Sequence, residues 1–137
     1  INPEWKRRTK RTFIPLEINK QETVDITLIT YGSISYNAKK AIENLRNNNE
    51  SPALVRIHML YPLPEKEIEQ AIINSKPIAA IDTFFVFEHG LLFNRIKSIN
   101  PHTASYITHE ELSTKDFMKI YNHLKTNENL ERIWMIE

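Results

Sequence analysis

Two side chains stand where ligands tend to gather in a chain of alternating strands and helices. His58 lies near the end of the apolar segment Ala53 to Leu60, and Asp82 directly follows Ile78-Ala79-Ala80-Ile81. Open α/β sheets bind ligands outside the carboxyl ends of their parallel strands. An imidazole at position 58 is therefore a candidate contact for the anionic end of a substrate, while an edge histidine satisfied by a backbone carbonyl explains it as well. Asp82 shares that edge, and its carboxylate either orients His58 or caps a neighbouring turn, capping being the simpler role.

Other constellations are weaker. His102, His109, Glu110 and Glu111 offer imidazole and carboxylate donors of the kind that complete a tetrahedral zinc site. Their spacing is not the helical i, i+4, and a strand separates them, so a solvated loop is the plainer reading. Ser33, His89 and Asp82 make a nominal serine triad, but no GxSxG elbow marks any serine. Phe84, Phe85 and Phe87 around Val86, with His89 just beyond, form an aromatic strand exit. Exposed, these rings would mark a subunit interface; buried, they would close the core beneath the next helix.

The elements that must hold these residues follow from hydrophobic periodicity. Val24 to Tyr31 is rich in β-branched residues and alternates as a pleated strand does. Gly32 turns the chain, and Ser33 or Ser35 caps a helix to about Asn47, whose Ala38, Ala41, Ile42 and Leu45 form one apolar stripe. Ala53 to Leu60 is the next strand. Pro62 and Pro64 forbid its continuation, and Pro64 opens a helix with Ile68, Ala71 and Ile72 inward. Ile78 to Asp82 reads as a strand covered on both faces. A helix from Glu88 to Ile99, a short strand at Ser105 to Thr108, and a helix capped by Ser113 complete the alternation. Phe13 to Ile18, with Pro15, suits a sheet edge. The tail from Leu130 to Glu137 carries no clear period. Connections too long for hairpins imply crossover helices. The expected fold is α/β: a three-layer sandwich with a mostly parallel five-stranded sheet and helices on both faces.

Composition bounds the function. The 137 residues, 41% hydrophobic and 26% charged, suit one domain, here residues 13–137 behind a basic linker or arm at residues 1–12. That arm holds five Lys/Arg against one acid, leaving 13 Lys/Arg against 16 Asp/Glu elsewhere. With an acidic body and no aromatic-and-basic stripe, no nucleic-acid partner is expected, and a solvated arm is preferred over a phosphate-binding one. Two glycines leave no room for a nucleotide-binding glycine loop, and the absence of cysteine excludes disulfides, thiolate metal sites and cysteine nucleophiles. No apolar run approaches the length that spans a bilayer, so no membrane partner and a cytoplasmic protein are expected.

The order of these pieces resembles the C-terminal domain of the transketolase family, most closely that of 2-oxoacid dehydrogenase beta subunits and deoxyxylulose phosphate synthases. Ile14-Pro15-Leu16 is similar to that family's "IPL" segment, and Asp25 to Gly32 to its "DVTIVTYG" strand. His58-Met59-Leu60-Tyr61-Pro62-Leu63-Pro64 matches the "RxLxPLD" strand exit, and Ile81-Asp82 the short apolar strand ending in acid. The likeness covers about residues 13–96. It departs at His58, where these relatives usually have arginine, and at Glu88-His89-Gly90-Leu91, where they have a Gly-Gly-x-Gly turn. Arginine grips anions with a permanent charge and imidazole does not, so anion recognition at that point does not carry over with the resemblance.

The resemblance implies a non-catalytic domain of a thiamine diphosphate enzyme, a parent that performs ketol transfer, deoxyxylulose phosphate synthesis or 2-oxoacid decarboxylation. Thiamine diphosphate and magnesium would be held by other domains or subunits, with none bound here. This domain would widen a homodimer interface and close the active-site channel, inactive by itself. The alternative is a free-standing α/β binding or regulatory module for a small anion or a protein partner.

Overall fold

Strand and helix alternate along the chain as the periodicities require. The computed structural model describes residues 14–32, 34–58, 63–72, 77–83, 91–108, 112–126 and 133–136. In order these form β1 (Leu16–Asn19), β2 (Ile26–Tyr31), α1 (Ile34–Asn47), β3 (Pro52–Ile57), α2 (Glu65–Ile72), β4 (Ile78–Thr83), α3 (Leu91–Ile99), β5 (Thr103–Thr108), α4 (Thr114–Thr126) and β6 (Ile133–Ile136).

One sheet carries them in the order β1-β3-β2-β4-β5-β6. β1 runs antiparallel to β3 and every other pair is parallel. The β2 to β3 ladder extends from Ile26↔Pro52 to Tyr31↔Ile57. The β2 to β4 ladder covers only Thr27↔Ile78, Leu28↔Ala79 and Ile29↔Ala80. After β2 the chain moves outward to β3 and then crosses back to β4, so the winding direction reverses between β2 and β4. That reversal is the switch point where doubly wound sheets hold their ligands.

Two cores sandwich the sheet, one on each face. Ile26, Leu28, Leu54, Ile81 and Tyr106 pack under α1 and α4 through Ala38, Ala41, Leu45, Phe117 and Ile120. Alternate residues Ile29, Tyr31, Val55, Ile57 and Ala80 pack under α2 and α3 through Ile68, Ile72, Leu92 and Ile96. Burying each Leu, Ile, Val or Phe among them contributes roughly 1.5–3 kcal/mol before chain entropy is counted. The α/β sandwich with helices on both faces is thus the architecture expected from the sequence. The sheet has six strands, one more than the sequence alone suggests, because Ile133–Ile136 adds a parallel edge strand beside β5. Four residues are too few for a period of two to stand out.

Element ends are fixed by specific bonds. α1 finishes in a Schellman arrangement: the Glu50 amide donates to Leu45 O at 3.0 Å and the Asn49 amide to Arg46 O at 3.1 Å, with Asn49 at φ 65°. α4 begins in a reciprocal capping box, the Asp116 amide donating to Ser113 Oγ at 3.2 Å and the Ser113 amide to Asp116 Oδ2 at 2.9 Å. Buried Asn100 donates from Nδ2 to Ile72 O at 2.9 Å and accepts from the His102 amide at 3.0 Å, tying the ends of α2 and α3 to the start of β5. The Arg46 guanidinium donates to Asn19 Oδ1 at 2.7 Å and to Pro52 O at 3.2 Å, pinning α1 to the edge strand β1 and to the start of β3. The arm at residues 1–12 lies outside the described residues.

Candidate functional site

The carboxyl ends of β3, β2 and β4 bring three sequence features to one rim: His58, the Tyr31-Gly32 turn, and Asp82. Gly32 takes φ 71°, a left-handed conformation that L side chains avoid, and lets the chain enter α1 directly, the Ser35 amide donating to Gly32 O at 3.2 Å. Behind this turn the buried hydroxyls of Thr30 and Ser35 lie 2.8 Å apart in a hydrogen bond.

Asp82 is 1% exposed and sits on the α2/α3 face. Its Oδ1 accepts from the Leu92 amide at 2.8 Å and its Oδ2 from the Phe93 amide at 3.2 Å, so the carboxylate caps the first turn of α3 from the end of β4. Burial pushes this carboxyl above the usual range, opposed by the two amides and by a hydrogen bond from the Tyr31 hydroxyl. The Tyr31 contact spans the β2/β4 gap just beyond the point where the ladder between those strands stops.

His58 follows β3 directly and its backbone amide donates to Pro15 O at 2.9 Å. Its ring turns toward β1 and away from Asp82, placing Nε2 3.8 Å from Glu17 Oε2. Arg56 Nη1 and Lys39 Nζ each lie 3.7 Å from the same carboxylate. Glu17, Arg56 and Lys39 were not legible as neighbours of His58. Only the β1/β3 pairing, with Glu17 opposite Arg56, brings them together, and that pairing leaves no mark in the sequence.

The remaining candidates are placed as follows. His102 is an exposed turn residue, whereas His109, Glu110, Glu111, Ser33, His89, Phe84, Phe85 and Phe87 lie outside the described residues. Among the described residues, no group of three or more His, Cys, Asp or Glu side chains is arranged to hold a metal ion. No described helix is long and apolar enough to cross a membrane.

At the opposite rim, the buried Tyr121 of α4 hydrogen-bonds Asp25 and reaches Glu50 Oε2 at 2.8 Å, and Lys125 pairs with Glu50. Burial and the two carboxylates push the Tyr121 hydroxyl up, while Lys125 and then Tyr121 hold Glu50 below the usual carboxylate range. This cluster joins the entries of β2 and β3 to α4 and was not anticipated from sequence either.

The family model for the pyruvate:ferredoxin oxidoreductase core domain II matches residues 24–117, from β2 into α4. The chain belongs to this family. The chain is 24% identical over 139 residues to pyruvate synthase subunit PorA of Methanocaldococcus jannaschii, covering 96% of this chain and 36% of that protein. It is 25% identical over 97 residues to PorA of Methanothermobacter thermautotrophicus, covering 70% of this chain and 25% of that subunit. A third relative is the alpha subunit of NADH-dependent phenylglyoxylate dehydrogenase of Aromatoleum evansii, 26% identical over 83 residues, covering 60% of this chain and 20% of that subunit. The chain thus spans little more than a third of these relatives at most.

Among solved structures, it superposes on 2-oxoglutarate:ferredoxin oxidoreductase from Magnetococcus marinus with a TM-score of 0.69 at 16% identity, covering 81% of this chain and 20% of that one. It also superposes on a split-gene transketolase, an inactive beta4 tetramer, with a TM-score of 0.66 at 11% identity, covering 85% of this chain and 45% of that one. The resemblance read from the motifs therefore holds at the level of a transketolase-like fold, and the family matched is the ferredoxin oxidoreductase one.

Proposed function

We propose that this chain is the core domain II part of a 2-oxoacid:ferredoxin oxidoreductase of the pyruvate synthase kind, and that it acts there as a scaffold. The reading is carried by one observation: within a domain of this family, the acid at the switch point gives both oxygens to the amides of α3. A carboxylate held in this way shapes a rim and is poorly placed to exchange protons with a substrate. In the family this chain resembles, thiamine diphosphate and its magnesium ion are held by other domains, and the reading follows that division of labour. The cofactor and its metal are accordingly assigned to other parts of the parent enzyme. This domain contributes the rim that closes the substrate channel and surface for a dimer contact, in a cytoplasmic assembly.

Two measurements test the reading. The purified chain should neither oxidise pyruvate with coenzyme A and ferredoxin nor bind thiamine diphosphate in calorimetry. The parent complex assembled without it should lose activity, and adding the chain back should restore it. Turnover by the chain alone, or a full-rate complex lacking it, would overturn the proposal.

A further inference from the structure

The densest group of side chains left unused by the scaffold role surrounds Glu17. Its single carboxylate faces Arg56 Nη1 at 3.7 Å, Lys39 Nζ at 3.7 Å and His58 Nε2 at 3.8 Å. None of these separations is a hydrogen bond. The guanidinium, ammonium and imidazole thus share one counter-charge at a distance, each keeping donors unbonded among the described residues and available to a closer acceptor. Two permanent positive charges and an imidazole face one negative charge, so the cluster has positive charge in excess. The four side chains are 33–44% exposed, open to a solute yet partly walled by protein.

The frame behind them is firm. Arg56 lies in β3, opposite Glu17 of β1. His58 is held by its amide bond to Pro15 O at 2.9 Å. Lys39 stands on α1, which Arg46 ties to Asn19 and Pro52. The cluster also lies at the carboxyl end of a parallel strand, the edge at which α/β sheets take ligands.

We infer that Lys39, Arg56 and His58 form a binding site for a phosphate-type oxyanion, free or as the terminal group of a small phosphate monoester, with Glu17 as the resident counter-charge. A tetrahedral dianion has four oxygens, enough to accept from a guanidinium fork, an ammonium and an imidazole together. A carboxylate anchored in a strand cannot close on all three. Glu17 keeps the cations gathered in the empty site and repels the incoming anion, so affinity is modest. The site does not depend on the scaffold role and stands or falls separately from it.

The experiment is a titration of the isotopically labelled chain with inorganic phosphate, followed by NMR at constant ionic strength. Saturable shifts are expected at the amides of Glu17, Lys39, Arg56 and His58 and on the His58 ring, with a Kd of about 1 mM. Arg56→Ala and Lys39→Ala should each weaken binding about tenfold. Glu17→Gln, which keeps the shape and removes the repulsion, should tighten it about fivefold. Glycerol 3-phosphate producing tighter binding than inorganic phosphate at the same residues would assign the site to a monoester, and equal binding to the free ion; either supports it. Shifts that fail to saturate, that chloride reproduces, or that keep an unchanged Kd after Arg56→Ala in a chain with an otherwise unchanged amide spectrum would overturn the site. Weaker binding by Glu17→Gln, or duplex DNA displacing phosphate, would overturn it too.

Discussion

Asp82 gives both oxygens to backbone amides, and its removal leaves two buried N–H groups at the start of α3 without partners. Asp82→Ala should lower stability by about 1 kcal/mol in urea denaturation, because the lost cap is partly offset by no longer burying a charge. Ser105 predicts the reverse. Its Oγ is buried without a hydrogen-bond partner among the described residues, so Ser105→Ala should be neutral or stabilising by up to about 1 kcal/mol.

The carboxylates also set an acid limit. Glu50 and Asp116 are held below their usual values, by Lys125 and by the Ser113 amide first of all. The stability they contribute is complete above their unfolded values and is lost as pH falls through the folded ones. Asp82, raised by burial, works in the opposite sense: its share is present at low pH and lost as pH rises through its folded value. Denaturation midpoints should therefore fall on acidification below about pH 4.5. Asp116→Asn should flatten that fall, while an unchanged slope in this variant would remove Asp116 from the account.

Among the elements, the strand, turn and helix of residues 26–47 were the most legible, because one glycine and one apolar stripe specify them locally. Gly32→Ala tests the turn. A Cβ there would meet nothing within 4 Å, so the cost should be that of the φ 71° backbone alone, about 1–2 kcal/mol. A larger loss of thermal stability would mean that the turn is strained for another reason. The helix ends at Asn49 and Ser113 were visible too, since capping depends on residues within a few positions of each other. Partnership between strands was not visible. β1 announces itself as an edge through Pro15, but its antiparallel match to β3 depends on contacts about forty residues away, and so does the company His58 keeps. His58 and Asp82 do sit at one rim, the position expected for them, yet their side chains engage different partners on different faces of the sheet. The alternation of β1 placed Glu17 and Asn19 together on the α1 side, a signal that becomes usable once the partner strand is known.

At the scale of the whole molecule, the family match, the superpositions and the strand order agree on one α/β domain, which spans about a third of the longest-covered relative. Scaffold function predicts that Asp82→Ala, in the assembled parent, alters the KM for the 2-oxoacid or the strength of assembly more than it alters kcat. A selective loss of kcat with intact assembly would instead give Asp82 a direct part in the reaction.

The brief β2 to β4 ladder has a consequence for motion. Residues 16–57 build one wing of the sheet and residues 78–136 the other, each from continuous chain, and only three backbone register pairs join them. The Tyr31 to Asp82 bond at one rim and the Tyr121 to Asp25 and Glu50 bonds at the other act as clasps across this seam. Both apolar cores cross this seam, so the wings stay together and the sparse backbone pairing loosens first, at the β4 amides. In native-state hydrogen exchange, Tyr121→Phe should therefore speed the amides of β4 that face β2, leaving those between β2 and β3 nearly as slow as before.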